Sequence, residues 1–379
     1  MNLRRRICIL SALIVFSVLY ASPAAAYPFF AGQIGRNCTF CHALFPRLNE
    51  EGRVFRSNGF LFDEEEMPRP KEAMLPPLSM EVEIEGFYKK ENIGADEPES
   101  ADIVLEELEL ISGASFGPGG RVSALGIVLV SEENDEFKAS LPNAFIQVND
   151  INGASGEGRL NLRAGRFQTG PGLFNAAEAV VGGAYLADIA MGIIRPEDGA
   201  VELNGILLTS DAESFRPTHR YSLGFARGDE DDGIRLKGYY LSYSASFMES
   251  LSVGAIYRNG TFRNESFSGL GVAAELDRGF FIMSIGYFAS YSGAGGPDKD
   301  DIVLEAVLFP MLKTSLLLRY DVLNIDGSSG VRSHAVAVRY DMLDNAYAKI
   351  EYAGTTDRDN VFFDADEENE ARVILAAAF

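Results

Sequence analysis

From Leu78 to the end of the chain, apolar residues recur at every second position, in one segment of about ten residues after another. Leu316, Leu318, Tyr320 and Val322 alternate with Ser315, Leu317, Arg319 and Asp321. Val336, Val338 and Tyr340 alternate with Ala335, Ala337, Arg339 and Asp341. Ala346, Ala348, Ile350 and Tyr352 alternate with Tyr347, Lys349, Glu351 and Ala353, and Val373, Leu375, Ala377 and Phe379 share one face of the last segment. Successive side chains of a strand point to opposite faces, so this period builds a sheet with one apolar and one polar face. A tilted strand of about ten residues is also what crosses a bilayer in a closed barrel. About sixteen such segments follow one another, from 78–89 and 103–116 to 344–355 and 371–379, an even number that suits a bacterial barrel.

The connections fit the same reading. Some are very short, such as Pro310-Met311 and Met342-Leu343-Asp344; others are long and acidic, such as Asn92–Asp102 and Thr356–Glu370. Short turns at one end and longer loops at the other are the pattern of an outer-membrane barrel. A soluble β-sandwich or propeller also alternates, but it buries its inner faces in a dry core. Here the polar faces carry charge in mid-strand, at Arg159 and Arg163, Arg235 and Lys237, Lys349 and Glu351. A water-filled lumen accepts those side chains where a dry core does not. The chain has no Trp, which leaves Tyr and Phe to form both aromatic girdles. The expected fold is therefore all-β: a transmembrane outer-membrane β-barrel of about 16 antiparallel strands over residues 78–379.

One stretch breaks the rhythm. Thr169 to Pro196 holds Gly170, Gly172, Gly182, Gly183 and the run Ala176–Val181. It reads as a loop or short helix folded into the lumen, with a long external loop as the other reading.

The N-terminus has the parts of an export signal, residues 1–26. Arg4, Arg5 and Arg6 precede an apolar run from Ile7 to Tyr20, and Ala24-Ala25-Ala26 offers a cleavage site. The run is shorter than the ~20 residues of a membrane-spanning helix, which argues against an anchor. Cys8 leaves with the signal, so Cys38 and Cys41 are the cysteines of the mature chain. The net charge of −22 sets simple phosphate attraction against nucleic acid as a partner.

Those two cysteines belong to Asn37-Cys38-Thr39-Phe40-Cys41-His42. Two thiols at this spacing match the two vinyl groups of a porphyrin, and the histidine that follows can reach the iron. Cys38 and Cys41 are the expected thioethers of one covalent haem c, and His42 is its proximal ligand. A thioredoxin-like dithiol lacks the βαβ pattern it would need nearby. Zinc lacks ligands, since four are usual and His219 and His334 lie far along the chain. The segment 27–77 reads as a small helical haem wrap. Pro46 can begin a helix, Leu48, Val54 and Phe55 recur at helical spacing, and Gly59 can end it. Phe30, Phe45, Phe55 and Phe60 can cover the porphyrin faces. Met67, Met74 and Met80 are the candidates for a sixth ligand, and a five-coordinate iron remains open.

The block Phe30-Ala31-Gly32-Gln33-Ile34-Gly35-Arg36-Asn37-Cys38-Thr39-Phe40-Cys41-His42-Ala43-Leu44-Phe45-Pro46-Arg47-Leu48 continues through Gly52-Arg53-Val54-Phe55-Arg56 and Gly59-Phe60. Together with Leu75-Pro76-Pro77-Leu78-Ser79-Met80, it resembles the fused monohaem cytochrome–porins of the outer membrane, a family best known for iron oxidases. The close match covers about fifty residues; the barrel resembles the family in architecture only, and it is shorter than many members and strongly acidic. The resemblance makes Met80 the first choice of sixth ligand. It implies a haem segment that plugs or caps the lumen from the periplasmic side. The implied function is an electron conduit between an extracellular donor, such as Fe(II), and a periplasmic electron-carrier cytochrome. With Fe(II) as donor the activity would be that of an iron:cytochrome c oxidoreductase. Two other readings stay open: a diffusion porin with a structural or sensory haem, and the same conduit run outward to reduce external metal. His334 shares the parity of Val336 and Val338 and so faces lipid, while His219 reads as a turn or girdle residue. No nucleophile–base set or phosphate loop stands out.

Overall fold

The computed structural model describes residues 30, 36–45, 47–60, 78–92, 98–116, 120–133, 136–153, 158–169, 173, 181, 185–193, 195–207, 218–227, 236–247, 250–262, 265–292, 297–326, 328–343, 345–357 and 367–378. The signal segment, Pro46, Met67, Met74 and Phe379 lie outside them.

Near the N-terminus a two-stranded ribbon, β1 (His42–Leu44) and β2 (Arg47–Leu48), leads into a helix, α1 (Glu50–Ser57). Sixteen strands then follow. They begin with β3 (Leu78–Asn92), β4 (Glu99–Phe116), β5 (Val122–Glu133), β6 (Glu136–Val148) and β7 (Asn161–Thr169). After a second helix, α2 (Leu186–Met191), come β8 (Arg195–Leu207), β9 (Thr218–Arg227), β10 (Leu236–Phe247), β11 (Leu251–Phe262) and β12 (Glu265–Asp277). The last six are β13 (Phe281–Ser292), β14 (Lys299–Met311), β15 (Thr314–Ile325), β16 (Ser328–Leu343), β17 (Ala346–Asp357) and β18 (Glu367–Ala378). Each strand pairs antiparallel with the next, and β18 pairs with β3 to close the barrel. Closure leaves no open sheet edge, the condition for crossing a bilayer with strands. Among the described residues, no helix is long and apolar enough to cross a membrane. An even number of antiparallel strands brings the start of β3 and the end of β18 to one end of the barrel, here termed the turn end.

The period-two pattern separates the two faces. On β15, Leu318 and Tyr320 look outward, while Leu317, Arg319 and Asp321 are buried inside. On β13, Met283, Ile285 and Tyr287 look outward, while Ile282, Ser284 and Phe288 are buried. Tyrosines mark the outer face in place of Trp: Tyr239 packs against Tyr257 at 6.0 Å between ring centroids. His219 pairs with Tyr243, and His334 lies beside Tyr352 on the outer face, as their strand parity requires.

Three expectations shift in detail. The strands reach further into the acidic loops than hydropathy marks: β4 starts at Glu99 and β18 at Glu367. Lys89 supports the ladder there, bonding Glu91 on its own strand at 2.6 Å and Glu368 of β18 at 3.0 Å. The first helix starts at Glu50 rather than at Pro46, because Asn49 caps it, accepting from the Gly52 amide at 2.9 Å. Leu48 therefore belongs to the ribbon and not to the helix. The connections do not sort simply into short and long, since 149–160 at the turn end is long. Part of it bends inward against α1: a Cβ on Gly158 would lie 2.2 Å from Asn58 Oδ1.

Candidate functional site

The cysteine pair sits on a single 3-10 turn, Cys38–Phe40, closed by the Cys41 amide donating to the Cys38 carbonyl at 3.2 Å. The ribbon folds the chain back, with His42 opposite Leu48. Asn49 ties the fold shut: its amide donates to the Cys41 carbonyl at 2.9 Å and its Nδ2 to the Phe40 carbonyl at 2.9 Å. Helix α1 then packs directly on the cysteine turn. A Cβ on Gly52 would lie 2.2 Å from the Cys41 carbonyl oxygen, so glycine is what permits this approach. Gly59, at φ +67°, ends the helix as expected.

This assembly lies inside the barrel. At one side, Ser123 and Ser115 donate to the Gly59 carbonyl at 2.5 and 3.0 Å, and Asn161 to the Ser57 carbonyl at 3.3 Å. At the next, Glu50 bonds Arg220 and accepts from Ser246 at 2.7 Å. Across the lumen, the Arg47 guanidinium bonds Glu275, Glu305 and Ser284, and Arg53 adds a second bond to Glu275. Arg339 donates to the Phe45 carbonyl, and Phe45 packs on Tyr347, Ile374 and Ala376. Leu44 sits among Ile282, Val307, Leu317 and Ala335. Phe30, Phe55 and Phe60 form an aromatic set that continues into the wall at Phe145, Phe167 and Tyr240. Contacts with β4 through β7, β9, β10, β12 through β14 and β16 through β18 hold the segment on every side.

The charges explain why it stays. Arg47, Arg53, Glu275 and Glu305 are all buried. Burial alone would lower the Arg47 guanidinium, but the carboxylates of Glu275 and Glu305 raise it above its ordinary value. A buried charge is tolerated only when it is paired in this way.

The constriction loop enters from the opposite end. Leu173, Tyr185, Leu186, Ala187, Ala190, Met191 and Ile193 are buried against Ile256, Phe267, Phe288, Val303, Leu323 and Val331 of the inner wall. The inward reading of this stretch thus holds for its described residues. Tyr185 donates to Glu305 at 3.2 Å, so one carboxylate touches both inserts.

Cys38 is buried and Cys41 half-buried, and neither forms a disulfide. Burial pushes the Cys41 thiol up to about 11, with Glu51 and Cys38 adding to the shift. A thiol held protonated is a poor redox nucleophile, which weighs against a thioredoxin-like role. Among the described residues, no third or fourth Cys, His, Asp or Glu joins the pair in a set that could hold a metal ion, as structural zinc requires. His42 lies 5.0 Å from Phe45, ring centroid to ring centroid.

Met80 lies on the other side of the wall from the cysteine turn. On β3, Ser79 and Glu85 are buried on the lumen face, so the even-numbered residues face outward, and Leu78 and Met80 are both exposed there. A sulfur on the outer wall cannot reach an iron held at His42 inside. A motif places Met80 close along the chain, but strand parity decides its face. Met67 and Met74 fall outside the described residues. Sequence reasoning also missed Arg47, Arg53, Glu275 and Glu305 as anchors. Half of the signal was present: Glu275 and Glu305 lie on the polar parity of barrel strands, where charges must find partners in the lumen.

No family model matches the chain, and no curated protein matches it. Solved structures do. The chain is similar to an anion-selective porin from Comamonas acidovorans, at 12% identity and a TM-score of 0.60, over 80% of this chain and 99% of that one. It is similar to the outer membrane channel DcaP of Acinetobacter baumannii, at 11% identity and 0.56, over 80% and 96%. It is also similar to OmpT of Vibrio cholerae, at 13% identity and 0.54, over 82% and 99%. The barrel, closed and sixteen-stranded, therefore has the fold of the outer-membrane porins.

Proposed function

We propose that this chain is an outer-membrane electron conduit, in which one covalent haem c on Cys38 and Cys41, with His42 as proximal ligand, is carried inside the barrel. The observation that carries the reading is the position of the Cys38–His42 turn: it lies in the lumen, braced against the wall on all sides. The donor set fits the group, with two thiols outside any disulfide on one turn and an imidazole on the next residue. Once bound, haem c supplies a one-electron couple, and no acid or base is needed for bond-making.

The chain's own residues supply the setting. The ion pairs of Arg47 and Arg53 hold the segment across the lumen, and the aromatic set of Phe30, Phe55 and Phe60 keeps one side of it dry. The apolar band of such a barrel is ~25 Å tall. A redox group within the lumen shortens the gap between an extracellular donor such as Fe(II) and a periplasmic cytochrome.

A diffusion porin with a structural or sensory haem is the second reading, favoured by the likeness to porins and channels. Two inserts filling the lumen weigh against free diffusion. The test is reduction of the haem by external Fe(II) in intact cells with a sealed outer membrane. The conduit reading expects prompt reduction with little solute uptake. A haem that stays oxidised while small solutes pass would sink it. Changing both Cys38 and Cys41 to Ala is expected to abolish haem that survives denaturing electrophoresis. The midpoint potential then sets direction: a high value fits iron oxidation, a low one electron export to external metal.

A further inference from the structure

The thiols of the cysteine turn are placed by a backbone geometry that the turn does not hold alone. Cys38 and Cys41 stand three residues apart on it, with the Phe40 amide donating to the Asn37 carbonyl at 3.1 Å and the Cys41 amide to the Cys38 carbonyl at 3.2 Å. Side chains three apart eclipse on a 3-10 turn, so both thiols leave the chain on one side. In an extended chain they would leave on opposite faces. Two backbone bonds make a marginal turn, and the carbonyls at its exit have no partner within it.

Asn49 supplies those partners from beyond the ribbon. Its backbone amide donates to the Cys41 carbonyl at 2.9 Å. Its Nδ2 donates to the Phe40 carbonyl at 2.9 Å and faces the Thr39 carbonyl at 3.5 Å. Its Oδ1 is turned the other way and accepts from the Gly52 amide at 2.9 Å. One side chain thus closes the exit of the cysteine turn and the entry of α1. Among the preferred N-caps Ser, Thr, Asp and Asn, Asn alone presents a donor and an acceptor on separate atoms. The two partners fix which way its amide points, since a flipped group would set N–H against N–H and oxygen against oxygen. His42 is the first residue past the clamped turn, and it pairs with Leu48, the residue before Asn49.

We propose that Asn49 is a positioning residue of the haem site, holding the Cys38 and Cys41 sulfurs on one side of the turn and fixing the step from them to the His42 imidazole. This role rests on the haem reading and adds a residue to which the Cys-x-x-Cys-His spacing does not point. A rigid, planar group bound through two sulfurs and one imidazole requires all three in one pose. A plain helix cap would use Oδ1 only. The bond from Nδ2 to the Phe40 carbonyl contributes nothing to α1 and acts on the turn alone.

The experiment uses the full-length protein in detergent, with gel mobility confirming a folded barrel. The variant is Asn49→Asp, which keeps an N-cap oxygen for Gly52 and puts an acceptor where Nδ2 donated. Without haem, amide exchange at Phe40 and Cys41 should quicken several-fold in the variant, while the amides of α1 exchange as in the parent. With haem attached, the midpoint potential and the electron paramagnetic resonance signature of the iron–imidazole bond should shift, although both thioethers remain. Asn49→Ser, which caps α1 with a hydroxyl one bond nearer the chain, should give the same split and decides the matter if the aspartate variant does not fold. An unshifted potential and spectrum in a folded variant overturn the proposal. So does exchange that quickens equally in the turn and in α1, which is what loss of a helix cap alone produces. A parent without covalent haem fails the cofactor reading instead, and the exchange split, which uses no haem, still decides whether Asn49 holds the turn.

Discussion

Two inserts lie in this lumen, and charge has a larger part in holding one than the other. The N-terminal segment is tied by charge as well as by apolar packing: Arg47 and Arg53 bond Glu275 and Glu305 at one side, and Glu50 bonds Arg220 at another, while Leu44, Phe45 and Phe60 pack on the wall. The constriction loop is held mainly by apolar burial, with Met191 and Ile193 packed against Ile256, Phe267 and Phe288. Gly269 leaves the space that Ile193 occupies, for a Cβ there would lie 2.5 Å from the isoleucine. Ion pairs fix orientation, because one arrangement satisfies all the partners. Apolar contacts stabilise without choosing an angle so strictly. Glu305, which bonds Arg47 and Tyr185, is one place where the two meet, and the cluster that holds Leu44 and Val181 is another.

The comparison breaks most visibly by excision. Removing 30–60 is expected to give the largest rise in steady ion current across planar bilayers, toward that of an open porin. Removing 173–193 while leaving the N-terminal segment should keep most of the block. Equal currents from the two deletions would mean that the inserts share the seal evenly.

Single substitutions sharpen the contrast. Arg47→Ala leaves Glu305 buried without its guanidinium, and breaking a buried pair costs about 3–5 kcal/mol. Hydrogen exchange in α1 should quicken while α2 stays protected. Replacing both partners, Arg47→Met with Glu305→Gln, should recover most of that loss, as removing a buried pair whole often does. Ile193→Ala reverses the pattern: a cavity costing about 2–5 kcal/mol opens beside Phe267 and Gly269, and exchange quickens in α2 alone. Faster exchange in both inserts from either change would show one cooperative unit joined through Glu305.

How far the sequence carried can be judged from the same residues. Period-two alternation was enough for the barrel and its parity, because one face meets lipid and the other does not. It foretold His334 outside and Arg163 inside. The break at Thr169 was legible as an insert because its glycines and helix-like run could not extend a strand. What was not legible was contact across the lumen. Nothing in the local sequence says that Arg47 meets Glu305, a partner 258 positions away. Strand ends were also missed, since Glu99 and Glu367 look like loop residues by hydropathy although both pair in the ladder, Glu99 with Lys90 and Glu367 with Asn92. For the site, the cysteine turn was plain from its spacing, but the helix start moved to Glu50 because a capping asparagine outweighed a permissive proline.

The smallest expected effect falls on Met80, and it is the sharpest test of which face matters. The N-terminal block points to it by proximity along the chain, whereas the barrel turns it outward beside Leu78. With the proposed haem bound, Met80→Ala should therefore leave its absorption spectrum and midpoint potential where they are. Its stability cost should be small, since a lipid-facing side chain that is 37% exposed leaves little cavity when shortened. Loss of a sulfur-to-iron charge-transfer band in that variant would mean that the first strand is displaced near its start. A one-residue slip of β3 against β4 and β18 would exchange its faces and bring Met80 inside. That slip would also move Glu81, Glu83 and Glu85 into lipid, a cost no single ligand bond offsets. An unchanged spectrum leaves the sixth position to Met67, to Met74 or to an open site, and substituting those two in turn separates the three.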